Sequence, residues 1–309
     1  MQIANPIYDV VFKYLLDDNR IAKLMISKII GEEIETLEFL PTEKRAEVEK
    51  QPTLNSVSES QSFGTEKNIE PEMQTTITVY RLDFSAKIKT REGEYKQVII
   101  EIQKAKFPTD IMRFRKYLGQ QYSDEENFEM INDRKVAMPI ISIYFIGQKL
   151  DKAVAPIIKV SRAYIDLVTG NEIKEKEEFI ESLTHDSFII QIQRLKQSRR
   201  NELEILLSIF DQDNIEKDHH ILNINEDIFP EEFKIIIRRL QRAIADKQIR
   251  NTMDIEDEIV EELANMERSI YNLSETVKDK DRLIESHKKT IAEKDKEIEE
   301  LKKKMSEKY

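Results

Sequence analysis

Two β-rich runs separated by a three-residue loop constrain the fold of this chain more than any other feature of its sequence. Residues 75–90 (TTITVYRLDFSAKIKT) and 94–104 (EYKQVIIEIQK) flank the loop Arg91-Glu92-Gly93. A three-residue loop with glycine in its last, left-handed position is a common connection in β-hairpins. The sequence therefore predicts an antiparallel hairpin in which Thr90 and Glu94 flank the turn.

This register sorts the hairpin side chains into an apolar face and a polar face. On the apolar face, Leu82 pairs with Ile102, Phe84 with Ile100 and Ala86 with Val98. On the polar face, Asp83 pairs with Glu101, Lys87 with Gln97 and Arg81 with Gln103. Two carboxylates directly opposite each other repel. The pair of Asp83 and Glu101 therefore requires a protonated carboxyl, a neighbouring cation or a bound divalent metal ion.

The paired carboxylates of Asp83 and Glu101 are suitable ligands for Mg²⁺ or Mn²⁺, with water molecules in the remaining coordination positions. Gln103 lies two residues after Glu101 on the same strand face, where its amide can orient a metal-bound water. The alternative is a solvent-exposed polar face on which Arg81 and Lys87 neutralise the two acids. The residues of the hairpin alone leave both interpretations open.

The segments around the hairpin predict an α/β fold with a mixed β-sheet flanked by helices. Residues 5–30 have the apolar spacing of a helix, with Asn5 and Pro6 at its start and Gly31 as its stop. Residues 34–40 are typical of a short strand. The apolar run 136–146 (VAMPIISIYFI) is typical of a central strand that is covered on both faces.

A second helix is predicted from Thr109 or Asp110 to Tyr122. The side chains expected to face inward are Ile111, Phe114, Leu118 and Tyr122. Residues 42–74 consist mainly of Glu, Lys, Ser, Gln, Thr and Asn, and we expect an exposed, flexible polar insertion there. We assign residues 1–150 to a core domain, 151–256 to an accessory region of short strands and helices, and 257–309 to a separate C-terminal tail.

The tail has a sustained heptad repeat. One seam position holds apolar residues every seven positions, namely Leu263, Ile270, Val277, Ile284, Ile291, Ile298 and Met305. The other seam position holds Ile259, Met266, Leu273, Lys280, His287, Lys294 and Leu301. β-Branched residues at the first position favour a parallel dimeric coiled coil, which the polar run from Lys280 to Lys294 weakens. The alternative is a solvated single helix.

Composition excludes several classes of function. The chain has 309 residues, a formal net charge of −11 and no cysteine, which excludes disulfides, thiolate catalysis and zinc–thiolate sites. Six glycines without a phosphate-binding loop argue against nucleotide-driven motor chemistry. Charged residues near the N-terminus argue against a signal peptide. The apolar runs are too short to predict a membrane span. We therefore expect a soluble, cytoplasmic protein.

Several sequence blocks resemble a known family. An Asp on one strand followed after a hairpin by Glu-x-Gln is similar to the PD-(D/E)XK nuclease superfamily. More narrowly, the chain resembles the PD-(D/E)XK nuclease family transposases related to the recombination-promoting nucleases. The blocks that carry this resemblance are NPIYDVVFKYLL (5–16), YRLDFSAKIKT (80–90), VIIEIQKAKFPTDIMRFRKYLGQQY (98–122), MPIISIYFIG (138–147), EEFIESLTHDSFIIQIQRLK (177–196) and NELEILLSIFDQ (201–212).

The resemblance implies a restriction-endonuclease-like core and a Mg²⁺-dependent (or Mn²⁺-dependent) DNA endonuclease. It assigns metal binding to Asp83, Glu101 and the backbone carbonyl of Ile102, and it places Gln103 where the superfamily usually has lysine. Asp9 and Lys13 match the acidic and basic residues of the family's first-helix motif. Gln103 can place a water molecule but carries no charge, so Arg81 or Lys104 is expected to supply the positive charge.

A basic stretch after the hairpin is the expected nucleic-acid contact. It consists of Lys106, Arg113, Arg115, Lys116 and Tyr117, and it can bind backbone phosphates. The alternative is an ordinary solvated helix face. The acidic composition restricts DNA binding to a local patch, and sequence alone does not separate DNA from RNA as the substrate.

Two functions from different classes follow. The first is a metal-dependent endonuclease in which a homodimer, joined through the tail, cuts both strands of DNA. The second is a catalytically weak or inactive nuclease-fold scaffold that acts by tethering DNA and by coiled-coil interaction, because Gln103 replaces a lysine.

Overall fold

The computed structural model describes residues 1–48, 76–81, 83–104, 110–124, 127–131, 133–195, 200–215 and 217–306. Residues 1–253 form one compact unit and residues 254–309 form a second. The helices are α1 (Asp9–Leu16), α2 (Asn19–Ile30), α3 (Asp110–Ser123), α4 (Glu178–Leu183), α5 (Glu202–Leu207), α6 (Lys234–Ala245) and α7 (Lys247–Ser306). The strands are β1 (Gln2–Ala4), β2 (Ile34–Phe39), β3 (Glu43–Val48), β4 (Thr76–Arg81), β5 (Phe84–Thr90), β6 (Tyr95–Gln103), β7 (Phe128–Ile131), β8 (Arg134–Ala137), β9 (Ile140–Ile146), β10 (Ile157–Val160), β11 (Tyr164–Ile165), β12 (Glu172–Ile173), β13 (His185–Gln191) and β14 (Ile221–Asn223).

A six-stranded mixed sheet organises the first unit, in the order β10-β13-β9-β6-β5-β2. Strands β6, β9 and β13 are parallel, and the remaining neighbours are antiparallel. The predicted mixed α/β architecture is therefore confirmed. The apolar run 136–146 supplies the central strand β9, but its first two residues belong to β8, because Met138 and Pro139 separate the two strands.

The hairpin of β5 and β6 has the predicted register from Phe84 opposite Ile100 to Lys89 opposite Tyr95. The backbone N–H of Thr90 donates to the carbonyl of Glu94 at 2.9 Å, and Gly93 has a φ of 92°. This positive φ explains the glycine, because a side chain at this position would strain the turn.

The run 75–90 is not one strand, and this corrects the predicted pairings at its start. Strand β4 ends at Arg81, which pairs with Glu43 of β3, so the predicted pair of Arg81 and Gln103 is wrong. Asp83 lies in a bend before β5 and outside the ladder with β6. The predicted pairing of Leu82 lies outside the described residues.

The N-terminal helix predicted for residues 5–30 is two helices. Asp18 begins α2 by accepting a hydrogen bond from the backbone N–H of Arg20, and this cap interrupts an apolar spacing that continues through it. Asn5 is buried and bonds the carbonyl of His219 instead of capping α1. Gly31 ends α2 in the left-handed conformation, as predicted.

Helices cover the sheet on both faces. On one face, α1, α2, α5 and α6 form the main apolar core with the even-numbered residues of β5 and β6. On the other face, Tyr117 of α3 packs against Ile99 and Ile140. The alternative of a solvent-exposed polar face is therefore wrong, because α3 packs on this face and Ser85, Gln97 and Glu101 are all buried there.

Three further predictions need correction or lie outside the described residues. Tyr122 was predicted to face inward but is 38% exposed, because it lies at the last turn of α3. Residues 43–48 of the predicted polar insertion form β3, whereas residues 49–74 lie outside the described part of the chain. The predicted boundary at residue 150 runs through the central sheet, because β13 beyond it pairs with β9 and β10 pairs with β13.

The second unit consists of the greater part of α7, a helix of 60 residues. Its heptad residues are exposed in the single chain, from 41% at Leu263 to 68% at Met305. Among the described residues, no helix is both long enough and apolar enough to cross a membrane.

Candidate active site

Asp83 and Glu101 come together at the end of β6, where β5 begins. Oδ2 of Asp83 accepts a hydrogen bond of 2.7 Å from the backbone N–H of Ile102, the residue after Glu101. This bond fixes the Asp83 carboxylate beside β6 although Asp83 is outside the ladder. Glu101 is only 3% exposed, and the side chain of Asp83 is only 10% exposed. The two acids that the sequence pattern paired thus share a buried site.

Helix α1 adds a cation and a third acid to these carboxylates. Nζ of Lys13 lies 3.2 Å from Oδ1 of Asp83 and 2.7 Å from Oδ2 of Asp9. Asp9 and Lys13 are four residues apart, so they lie on the same side of the helix. Val11, Phe12 and Leu15 are buried in the core, and their packing fixes α1 against the sheet and holds Lys13 at the site.

Burial and charge shift the pKa values of this cluster. The pKa of Asp83 is raised well above its ordinary value, mainly by burial and then by repulsion from Glu101 and Asp9, while Lys13 opposes the rise. The pKa of Lys13 is also raised: burial alone would lower it, but the attraction of Asp83 and Asp9 outweighs that effect. Lys13 therefore stays charged and compensates part of the negative charge.

Lys13 is a compensating cation that the hairpin sequence alone did not suggest. Arg81 belongs to the β3–β4 pair, and the ammonium of Lys104 lies 3.6 Å from the centre of the Tyr8 ring. Lys87 lies 5.1 Å from the centre of the Tyr95 ring, near the hairpin turn. Among the described residues, Lys13 is the cation that the structure places against Asp83.

Gln103 is held by a residue that the sequence analysis missed. Its Oε1 accepts a hydrogen bond from the hydroxyl of Tyr144 on β9, the neighbouring strand. The Tyr144 ring stacks on Phe114 of α3, with ring centroids 4.5 Å apart and planes 17° from parallel. With its oxygen engaged in this way, Gln103 keeps its amide N–H groups as donors. The sequence feature that could have indicated this contact is the hydroxyl of Tyr144 within the largely apolar run 136–146.

The predicted nucleic-acid residues divide into three groups. Arg115 and Lys116 are exposed on α3, as a phosphate-binding pair requires. Tyr117 is buried against Ile99 and Ile140, so the assignment of this residue to a nucleic-acid surface is wrong. Lys106 and the side chain of Arg113 lie outside the described residues.

The oxygen ligands at this site are compatible with a hard divalent cation that binds only a few protein groups. Asp83 and Glu101 supply buried carboxylate oxygens next to the backbone of Ile102, and Mg²⁺ commonly binds one or two carboxylates and keeps several waters. Across the described residues, no group of three or more His, Asp or Glu side chains is arranged to hold a metal ion.

No protein-family model, no curated protein and no solved structure matches this chain.

Proposed function

We propose that this protein is a Mg²⁺-dependent endonuclease that hydrolyses phosphodiester bonds in DNA, with a restriction-endonuclease-like core. The observation that carries the proposal is the buried pair of Asp83 and Glu101 at the end of a central parallel strand, with Lys13 beside it. Burying like charges together costs free energy. A bound divalent cation would offset this cost and would use both carboxylates as ligands.

Each residue of the cluster has a separate role in this proposal. Asp83 and Glu101 would hold the metal ion, together with the backbone carbonyl of Ile102. When bound, Mg²⁺ activates a water molecule and stabilises the charge on the leaving oxygen. Gln103 donates its amide N–H groups to the attacking water, and Tyr144 fixes the orientation of that amide. Lys13 supplies the positive charge that Gln103 lacks, and Asp9 positions the Lys13 ammonium.

A nicking assay on supercoiled plasmid tests this proposal. We expect Asp83→Asn and Glu101→Gln each to lower Mg²⁺-dependent nicking by about 100-fold or more, because each removes one charged metal ligand while it preserves side-chain size. Glu92→Gln is the matched control, since Glu92 is an exposed acid in the hairpin turn. Equal nicking by the wild type and either site variant would refute the assignment. RNA and single-stranded DNA in the same assay define the substrate.

A second candidate function is a nuclease-fold scaffold that binds DNA without cutting it. The observation that favours this candidate is that protein groups already engage both oxygens of Asp83: Lys13 at 3.2 Å and the N–H of Ile102 at 2.7 Å. Calorimetric titration with Mn²⁺ separates the two candidates. Binding that is lost in Asp83→Asn and Glu101→Gln supports the enzyme, whereas no binding that depends on these residues supports the scaffold.

A further inference from the structure

The seam of α7 contains a charge pattern that bears on how two copies of this chain meet. Lys280, His287 and Lys294 occupy three successive positions in one row of the heptad repeat. In a parallel pair, each residue of a row meets its own copy in the partner. Two lysine layers of like charge would then flank a layer of two histidines, and like charges in contact destabilise the pair.

An antiparallel pair removes these contacts. The two seam rows then face each other, so Lys280 meets Ile284, His287 meets Val277 and Lys294 meets Ile270 of the second copy. A lysine opposite an isoleucine buries its methylene stem against the apolar partner and keeps its ammonium in water. In this register every polar seam residue has an apolar partner.

The same register uses the whole length of the seam. It pairs Ile259 with Met305, Leu263 with Leu301 and Met266 with Ile298, so the first seam residue meets the last and no apolar layer is left over. A shift by one heptad in either direction loses layers at the ends. The exposed apolar residues of α7, which are 41–68% accessible along the seam positions Leu263 to Met305, are therefore covered most completely by this arrangement.

The distribution of charge along α7 favours the same orientation. Residues 254–280 contain nine acidic and three basic side chains, whereas residues 281–306 contain seven acidic and eight basic side chains. A parallel pair places the two strongly acidic halves side by side. An antiparallel pair places each acidic half against a half with a small positive excess, which lowers the repulsion.

We propose that α7 pairs with a second copy of itself as an antiparallel coiled coil centred near Arg282, and not as the parallel dimer that the β-branched seam residues favour. The N-terminal ends of the two seams then lie about 70 Å apart, at 1.5 Å per residue. In a parallel pair these ends would lie side by side. The orientation of the pair thus decides whether the N-terminal ends of the two paired seams lie together or far apart.

Cysteine cross-linking in the full chain tests the orientation, because the natural sequence has no cysteine to interfere. We expect Leu273→Cys and Ile291→Cys, coexpressed with different affinity tags, to form a disulfide-linked heterodimer after mild oxidation. Each variant alone is expected to form none, because residue 273 meets residue 291 of the second copy and lies roughly 27 Å along the axis from its own copy. Ile259→Cys with Met305→Cys tests the same register at the ends of the seam.

The controls make each outcome decisive. Arg282→Cys lies on the outer face of the helix and is expected to form no cross-link. Sedimentation velocity of the wild type and of each reduced variant is expected to show two chains per particle. Cross-linking of the Leu273→Cys variant with itself would overturn the proposal in favour of a parallel pair. A wild-type mass of one or of three chains would overturn it as well, and neither result depends on nuclease activity.

Discussion

Lys13 lies within ion-pair distance of Asp9 and Asp83, so one ammonium group offsets two carboxylates. Glu101 adds a third negative charge close enough to repel Asp83. The cluster therefore has more acidic than basic groups, and two of its three acids, Asp83 and Glu101, are largely shielded from solvent. Burial first, and then repulsion from this surplus of negative charge, explain at the residue scale why the pKa of Asp83 is raised although a lysine lies beside it.

The raised pKa of Asp83 predicts a pH-dependent cost to stability. In the unfolded chain Asp83 loses its proton near its ordinary pKa, while the folded protein retains the proton to higher pH. The free energy of unfolding therefore falls as the pH rises between these two pKa values, by up to about 1.4 kcal/mol for each pH unit. We expect Asp83→Asn to remove this fall and to be more stable than the wild type at neutral pH.

Urea unfolding followed by circular dichroism at a series of pH values measures this effect. The Asn side chain keeps an acceptor for the N–H of Ile102, and Lys13 keeps Asp9 as its partner. Glu92→Gln serves as the control and should unfold with the pH dependence of the wild type. An Asp83→Asn variant whose stability falls with pH as steeply as that of the wild type would contradict the proposed origin of the shift.

At the scale of elements, the ends of β6 and β9 are joined by a close backbone contact. The N–H of Gly147, directly after β9, donates to the carbonyl of Gln103 at 2.7 Å. A Cβ atom on Gly147 would lie 2.7 Å from that same carbonyl oxygen and would overlap the carbonyl oxygen of Lys104. Glycine is therefore required where β9 passes the strand that carries Glu101 and Gln103.

This contact predicts that Gly147→Ala displaces the end of β6. We expect a loss of about 1–3 kcal/mol in the free energy of unfolding, because the overlapping atoms belong to the backbone and have no alternative rotamer. Gly119→Ala is the matched control: a Cβ there meets nothing within 4 Å, and the helical site favours alanine. Urea denaturation compares the two variants, and a Gly147→Ala protein as stable as the wild type would exclude the contact.

The sequence predicted those elements whose boundaries are encoded by neighbouring residues. The β5–β6 register followed from alternating apolar residues and from Gly93, and the end of α2 followed from Gly31. The break before Asp83 was missed because the β-rich run continues through it, and because β3, the partner of β4, consists mainly of charged residues that are typical of a loop. The split at Asp18 was missed because the apolar spacing of a helix persists on both sides of the cap.

The candidate site was predictable only in part, for a related reason. Hairpin spacing brought Asp83 and Glu101 together, whereas the contact of Lys13 with Asp83 spans 70 positions along the chain and depends on how α1 packs. Glu101, for which the hairpin sequence left an exposed polar face open, and Tyr117, which was predicted to contact nucleic acid, are both buried because α3 packs on that face of the sheet. Local periodicity does not specify which helix covers which face.

For the molecule as a whole, the net charge of −11 opposes association with nucleic acid. The DNA binding that we propose must then depend on a few local cations, and the exposed pair of Arg115 and Lys116 on α3 is such a group. We expect Arg115→Ala/Lys116→Ala to weaken DNA binding and to reduce the slope of log affinity against log salt by about 2, one for each phosphate contact removed.

Fluorescence anisotropy with labelled duplex DNA measures this change. Titrations at about 50–200 mM salt give the slope of log affinity against log salt. Lys174→Ala/Lys176→Ala is the matched control, because it removes the same formal charge from exposed sites before α4. If both double variants change the slope equally, net charge and not a local contact governs binding. An unchanged slope in the α3 variant would remove this surface from the proposal.

The two-stranded ribbon of β3 and β4 is closed at its base, where Glu43 pairs with Arg81, and Asp83 follows two residues later. During evolution, the segment between these two strands can therefore gain or lose residues while the base of the ribbon keeps the register of β5 unchanged. The register matters, because a slip of one residue in a strand turns every side chain to the opposite side of the sheet. Drift in the inserted segment is thereby separated from the carboxylate on which hydrolysis would depend.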